Sequence, residues 1–327
     1  MIRLGLIGYG YWGPNYARII EETPDATLTG CADVSESARA AAHAAYPDAK
    51  ITSDYRELLG AGDCDAVIIA APTRHHFEMA KAAFAAGKHM LVEKPLTDSS
   101  ATAAQLADLA DDSALVAMVG HVFLYHPVVR YIENELHAPS TGAVRFIASS
   151  RMGYSPIRED VDALWDLAPH DISMINAFVR ERPTQAFAVG HTFYPGEHAD
   201  VVFATLRFGS GALASLRLSW AHPFKERRID VVAENATFSF DDLATPKLSR
   251  YDGLEEDRKG ATTTPMIPTT EPLRAQFEHF IECIEQRRTP RSGFREGEAV
   301  VATLEALTDS MRSGMAAFVA QDSHQLA

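Results

Sequence analysis

Along the first third of the chain, short apolar runs alternate with amphipathic, alanine-rich stretches. The runs at 3–7, 28–32, 66–70, 89–93 and 115–119 have the length of buried strands. The stretches at 15–22, 35–45, 75–86 and 100–111 carry helical spacing. Strands apolar on both faces, each followed by a helix, predict a parallel, doubly wound sheet in an α/β fold. Asp98-Ser99-Ser100 supplies an N-cap region for the last of these helices. After about Gly120 the rhythm changes. A helix over 127–136 leads into a strand over 145–151, and another helix starts near Leu167. Strand-like runs then follow one another at 185–192, 201–208, 212–220, 228–233 and 237–240, with Phe208-Gly-Ser-Gly211 reading as a hairpin turn between two of them. Successive strands without intervening helices predict a mostly antiparallel sheet. The polar stretch 252–268 reads as a surface loop, and helices over 273–286 and 295–311 close the chain. Two domains are expected, 1–121 and 122–327.

A length of 327 residues suits two cores better than one. The formal net charge of −14 disfavours a nucleic-acid partner, because an acidic surface is repelled by phosphate polymers. Cys31, Cys64 and Cys283 form no CxxC pair and no metal-ligand spacing, a pattern that suits a reducing cytoplasm. The first apolar run, residues 2–7, is too short for a signal-peptide core, and no run approaches the ~20 apolar residues of a membrane span. The expectation is a cytoplasmic protein with no membrane partner.

Gly8-Tyr-Gly10-Tyr-Trp-Gly13 directly follows the first strand and opens a helix, the context in which G-x-G-x-x-G binds a dinucleotide. The first glycine permits the tight turn, the second admits the pyrophosphate, and the third lets helix and strand approach. Pro14 suits the first helical turn, and the helix N-terminus offers amides to phosphate. Asp33 ends the second strand at the spacing expected of the acid that binds the adenosine ribose. Its charge would repel a 2′-phosphate, so NAD is expected, with NADP disfavoured. Arg39, the nearest arginine downstream, falls inside a helix and reads as a poor 2′-phosphate ligand.

Glu93-Lys94-Pro95 after this Rossmann half, with Ala71-Pro-Thr-Arg-His-His76 and the glycine loop, resembles the Gfo/Idh/MocA oxidoreductases over nearly the whole chain. The runs Gly10-Tyr-Trp-Gly-Pro-Asn15 and Leu164-Trp-Asp-Leu-Ala-Pro-His-Asp171 resemble a subgroup associated with oxidation at C3 of sugar nucleotides, such as UDP-N-acetylglucosamine 3-dehydrogenases. The resemblance implies an N-terminal Rossmann domain and a C-terminal α/β domain with an open, mostly antiparallel sheet. It implies a homodimer or homotetramer, often built through that sheet. It implies catalysis by Lys94 and by the D-x-x-x-H pair Asp166 and His170. Cofactor contacts are expected from Gly8, Gly10, Tyr11, Trp12, Gly13, Asp33, Pro72, Thr73, His76, Glu93 and Lys94. Trp12 either packs beside the nicotinamide or covers the loop; His76 either faces the cofactor or serves only as a helix end. Tyr125, Arg151 and Arg158 are candidates for sugar or phosphate contacts. His126 departs from the subgroup, where asparagine is expected, as do Tyr154 and Pro156. The implied activity is NAD-dependent oxidation of a sugar ring hydroxyl. Its rivals are a cyclitol dehydrogenase, an NAD-dependent glycosidase of the same fold, and a non-catalytic NAD-binding sensor. The presence of Lys94 and His170 argues against the sensor.

Lys94 falls at the carboxyl edge of the sheet, where doubly wound folds bind ligands; Pro95 biases it toward an extended conformation, and an X-Pro bond is one that can be cis. Its ammonium could steady a developing oxyanion. If a helix begins at Asp166, then Asp166 and His170 share a face, Pro169 is tolerated in the first turn, and the helix end disfavours imidazolium at His170. Asp166 would either orient the imidazole or touch the substrate. Arg151 and Arg158 offer forked donors to a pyrophosphate. His43, His191, His198 and His222 show no ligand spacing, and no catalytic metal is expected.

Overall fold

The computed structural model describes residues 1–60, 62, 64–154, 158, 161–253 and 261–321. By internal contacts the chain divides into two units, 1–122 with 271–301 and 123–270 with 302–327.

In the first unit, β1 (Ile2–Ile7), β2 (Ala26–Ala32), β3 (Lys50–Thr52), β4 (Ala66–Ile69), β5 (His89–Val92) and β6 (Ala117–Val119) form a parallel sheet in the order β3-β2-β1-β4-β5-β6. The central strands are apolar throughout because both faces are covered: Leu4, Leu6 and all of β4 are buried. Between them run α1 (Gly13–Glu21), α2 (Glu36–Ala45), α3 (Arg56–Gly60), α4 (His76–Ala85) and α5 (Ser100–Asp111). Ser99 caps α5 by accepting the Thr102 amide at 3.3 Å. β3 and α3 were not foreseen, being too short to carry a period. Strand order reverses between β1 and β4, which opens a ligand crevice at the carboxyl ends of the strands. Residues 271–301 pack with this unit although they follow the second sheet in the chain. Gln276 donates to the Tyr16 hydroxyl (3.2 Å), and the Ser292 hydroxyl donates to the Val119 carbonyl (2.8 Å).

The second unit contains α6 (Pro127–Leu136), α7 (Ala163–Val179) and a nine-stranded sheet. Its strands are β7 (Val144–Tyr154), β8 (Pro183–His191), β9 (Val201–Phe208), β10 (Leu213–Ser219), β11 (Ala221–Ala233), β12 (Ala236–Asp241), β13 (Leu248–Asp252), β14 (Ala261–Thr263) and β15 (Ala317–Phe318). The order is β14-β13-β12-β11-β7-β10-β9-β8-β15; β7 and β10 are parallel and every other pair is antiparallel. Alternation is clean in β9, where Val202, Ala204, Leu206 and Phe208 are buried and the residues between them face outward. Gly211, at φ +92°, closes the β9–β10 hairpin where the sequence placed it. The stretch read as a loop over 252–268 contributes β14, paired with β13; its residues 254–260 lie outside the described residues. Two helices, α8 (Pro272–Gln286) and α9 (Phe294–Ser313), precede β15.

α7 begins at Ala163, four residues earlier than expected, because Asp162 caps it by accepting the Trp165 amide at 2.8 Å. Asp166 is therefore not the cap, and Pro169 lies inside the helix, where it removes the ladder bond to the Trp165 carbonyl.

Candidate functional site

In the first unit the glycine loop is shaped by what it cannot hold. A side chain on Gly8, at φ +99°, would meet the Ala70 carbonyl oxygen at 2.6 Å, and one on Gly13 would meet the Gly8 carbonyl oxygen at 2.5 Å. A Cβ on Gly10 would meet nothing within 4 Å, so the middle of the loop opens outward. Trp12 holds the N-cap position of α1 without a side-chain bond, leaving the helix end unshielded. Tyr11 is exposed and meets the Trp12 ring edge-on at 6.1 Å. Asp33 accepts the Tyr9 and Ser35 amides, each at 2.7 Å, so its carboxylate braces the loop and retains lone pairs for further donors. These features fit a dinucleotide: a closed turn, an open approach, a helix end without a side-chain cap and an acid at the end of β2.

Arg39 lies inside α2, as the sequence reading placed it. Its guanidinium folds back to donate to the Asp33 and Val34 carbonyls at 2.8 and 3.0 Å, so it stands beside the end of β2. Pro72 and Thr73 follow β4, with Thr73 opening a 3-10 turn, Thr73–His75. His76 does not present an open edge to a cofactor. It is 1% exposed, and its ring nitrogens sit 3.0 Å from the Pro95 carbonyl and 2.8 Å from the Ala71 carbonyl. Burial lowers its pKa. Its role is to tie the turn after β4 to the turn after β5.

Lys94 follows β5, half-buried, and its bond to Pro95 is cis. Glu93, expected among the cofactor contacts, turns inward. It accepts the Tyr16 hydroxyl at 2.6 Å and the Lys94 amide at 3.0 Å, and burial raises its pKa. Tyr16 lies on α1, so the helix that follows the glycine loop is braced against the residue before the lysine. His121, just past β6, was missed. It is 1% exposed, and neither ring nitrogen has a hydrogen-bond partner among the described residues. Burial and the neighbouring Lys94 charge push it down to about 3, so it stays neutral. Its place after a strand at the carboxyl edge was the available signal.

In the second unit α7 carries Asp166 and His170 four residues apart, inside one helix. His170 lies beyond the first turn, where the field of the helix end has largely decayed. Its ring meets Phe123 edge-on at 5.1 Å. The Asp166 carboxylate accepts Arg158 at 3.1 Å and the Trp220 indole at 3.1 Å. Arg158 is exposed, unlike Arg151. Arg151 is 7% exposed and forks onto Asp171, at 2.7 and 3.3 Å, so it is not free to meet a phosphate as the sequence suggested. Tyr125 is also buried. His126 replaces the expected asparagine without loss of the cap: its Nδ1 accepts the Val128 amide at 3.1 Å, opening α6. Burial pushes His126 down to about 4. Tyr154 is exposed at the end of β7, and Pro156 lies outside the described residues. Among the described residues no group of three or more His, Cys, Asp or Glu could hold a metal, and no helix is long and apolar enough to cross a membrane.

Comparison with known proteins matches residues 2–121 to an oxidoreductase family with an NAD-binding Rossmann fold, and residues 140–239 to the GFO/IDH/MocA C-terminal domain. UDP-N-acetylglucosamine 3-dehydrogenase of Acidithiobacillus ferrooxidans is 29% identical over 298 residues, 88% of this chain and 90% of that protein. A solved structure of it superposes with a TM-score of 0.85 at 27% identity, covering 95% of this chain and 98% of that one. A putative oxidoreductase from Magnetospirillum magnetotacticum is 31% identical, with a TM-score of 0.83, covering 94% and 99%. A D-xylose 1-dehydrogenase (NADP(+)) of Haloferax volcanii is 27% identical over 276 residues, 80% of this chain and 82% of that protein.

Proposed function

This chain belongs to the Gfo/Idh/MocA family of NAD-binding oxidoreductases, a dehydrogenase acting on CH–OH groups, and from that premise we propose that it oxidises C3 of a nucleotide-linked hexose or N-acetylhexosamine. The observation that carries the substrate assignment is the nearly end-to-end match to a UDP-N-acetylglucosamine 3-dehydrogenase. The glycine loop, Asp33, Pro72 and Thr73 hold the dinucleotide, and NAD when bound supplies the hydride acceptor. His170 takes the hydroxyl proton, without which the product would be a protonated ketone. In the first unit, the Lys94 ammonium is the group that steadies negative charge developing on the substrate. Asp166 grips Arg158 at 3.1 Å, and that exposed guanidinium meets the substrate's diphosphate. The protein works as a homo-oligomer assembled through the outward face of the second unit's sheet.

The test is NADH formation with UDP-N-acetylglucosamine, UDP-glucose, free N-acetylglucosamine and myo-inositol. Turnover of a sugar nucleotide is expected. Turnover of myo-inositol with none of either nucleotide would replace the assignment by a cyclitol dehydrogenase. NAD should bind roughly 10- to 10³-fold tighter than NADP, each tenfold being about 1.4 kcal/mol, because a 2′-phosphate would face the Asp33 carboxylate. Equal binding in a titration of both would remove Asp33 from that role and point to Arg39.

A further inference from the structure

Resting on the assignment of His170 as the base, we propose that Arg151 is a positioning residue that holds the His170 ring through Asp171 and Phe123, and is not a ligand for the substrate. Arg151 lies on β7 and faces α7. Its Nε donates to one Asp171 oxygen at 2.7 Å and its Nη2 to the other at 3.3 Å. The Ser149 hydroxyl, two residues earlier on the same strand face, adds a third bond to Asp171 at 2.7 Å. Asp171 is 2% exposed and directly follows His170. Three bonds from one strand to one carboxylate fix the rotation of α7 about its own axis at the residue beside the base.

The guanidinium makes a second contact. Its carbon lies 4.5 Å from the centroid of the Phe123 ring, and that ring meets the His170 ring edge-on at 5.1 Å. One buried cation therefore reaches the imidazole by two routes, through the helix backbone and through an aromatic wall. A buried ion pair is weak evidence for stability, since an apolar pair of similar volume often serves as well. What this pair supplies is direction. A lysine at 151 would keep the charge but lose both the fork and the flat stack. The loss of a bidentate contact beside a reacting group is the kind of small displacement that costs about 10²-fold in rate.

Arg151→Lys and Phe123→Leu in the full chain test this, with NAD and UDP-N-acetylglucosamine as substrates and the labelled His170 ring followed by NMR. We expect kcat to fall by about 10- to 10²-fold in each variant, with KM for both substrates within about threefold, and the His170 ring resonances to shift and broaden. A substrate KM raised about tenfold or more at unchanged kcat would make Arg151 a substrate ligand and overturn the proposal. If Arg151→Lys fails to fold, Phe123→Leu decides, because it leaves the ion pair intact. If UDP-N-acetylglucosamine is not turned over, the substrate assignment falls, but the NMR signal needs no substrate: unchanged His170 resonances in both variants would sink the positioning role. Undiminished turnover by His170→Ala would remove the base assignment alone.

Discussion

A secondary alcohol yields its hydride as the hydroxyl proton leaves, so Lys94 and His170, proposed for different parts of that step, should fail in different ways. Lys94→Ala should cut kcat strongly while leaving NAD binding nearly unchanged, since the ammonium acts on charge that appears only in the transition state. Nicotinamide fluorescence titration beside steady-state kinetics separates the two effects, and near-normal turnover would contradict the assignment. His170→Ala should lose about 10²- to 10⁴-fold in kcat at neutral pH, with a smaller loss at high pH where solvent base helps. If the acid limb of the kcat profile survives in His170→Ala, the titrating base is another group and Lys94 becomes the candidate. A third expectation concerns stability. The His126 pKa is depressed in the fold to about 4, against an unfolded value near 6.5. The unfolded chain therefore binds this proton first as pH falls, and stability is full above about pH 6.5 and drains toward pH 4. Between pH 7 and 5 this amounts to about 2 kcal/mol. His126→Asn keeps a cap for α6, so its urea-unfolding free energy should lose about 2 kcal/mol less over that interval. An unchanged pH dependence would mean the ring protonates freely in the fold.

The sequence was easiest to read where an element is long and one-sided. β9 and β10 alternate cleanly, the strands of the first unit are apolar on both faces, and α6 matches residue for residue. β3 and β15 are three and two residues long and leave no periodic trace. α7 exposes a different weakness. Asp162 and Asp166 stand one helical turn apart and either could cap; only the fold assigns the cap to Asp162, which frees Asp166 for Arg158 and Trp220. Arg151 misled for a related reason. A forked donor near a substrate motif reads as a phosphate ligand until Asp171, twenty residues on, is seen across from it. The placement of the glycine loop, Asp33 and Lys94 was legible because they follow β1, β2 and β5 at strand ends that the chain order itself marks. If Asp162 sets the start of α7, Asp162→Ala should destabilise the protein by about 1 kcal/mol in chemical denaturation. An effect below a few tenths would show that packing along α7, not its cap, fixes where the helix begins.

At the scale of the whole molecule, the second unit's sheet has one face packed against α7 and one facing outward. The outward face mixes apolar and polar side chains. Phe146, Phe187, Val189, Phe203 and Leu213 are each at least 39% exposed, and strand register places Val189 opposite Phe203 and Leu213 opposite Phe146. These exposed apolar side chains form two groups, Phe187 and Val189 with Phe203, and Leu213 with Phe146, separated by the Thr205–Ser215 row, and on a chain of net charge −14 they suit a partner. A second copy suits them, because a two-fold contact lets the same surface face itself while Arg207, on the same face, can reach acidic groups of the other copy. Phe203 lies on β9 between β8 and β10 and is 55% exposed, so Phe203→Glu tests assembly without touching the core of that sheet. It introduces two carboxylates into each two-fold contact, one from each copy. Light scattering coupled to size-exclusion chromatography should show a dimer or tetramer for the natural chain and a smaller species for Phe203→Glu, with NAD binding retained. A natural chain that runs as a monomer at high concentration would leave this face to a different partner and withdraw the homo-oligomer.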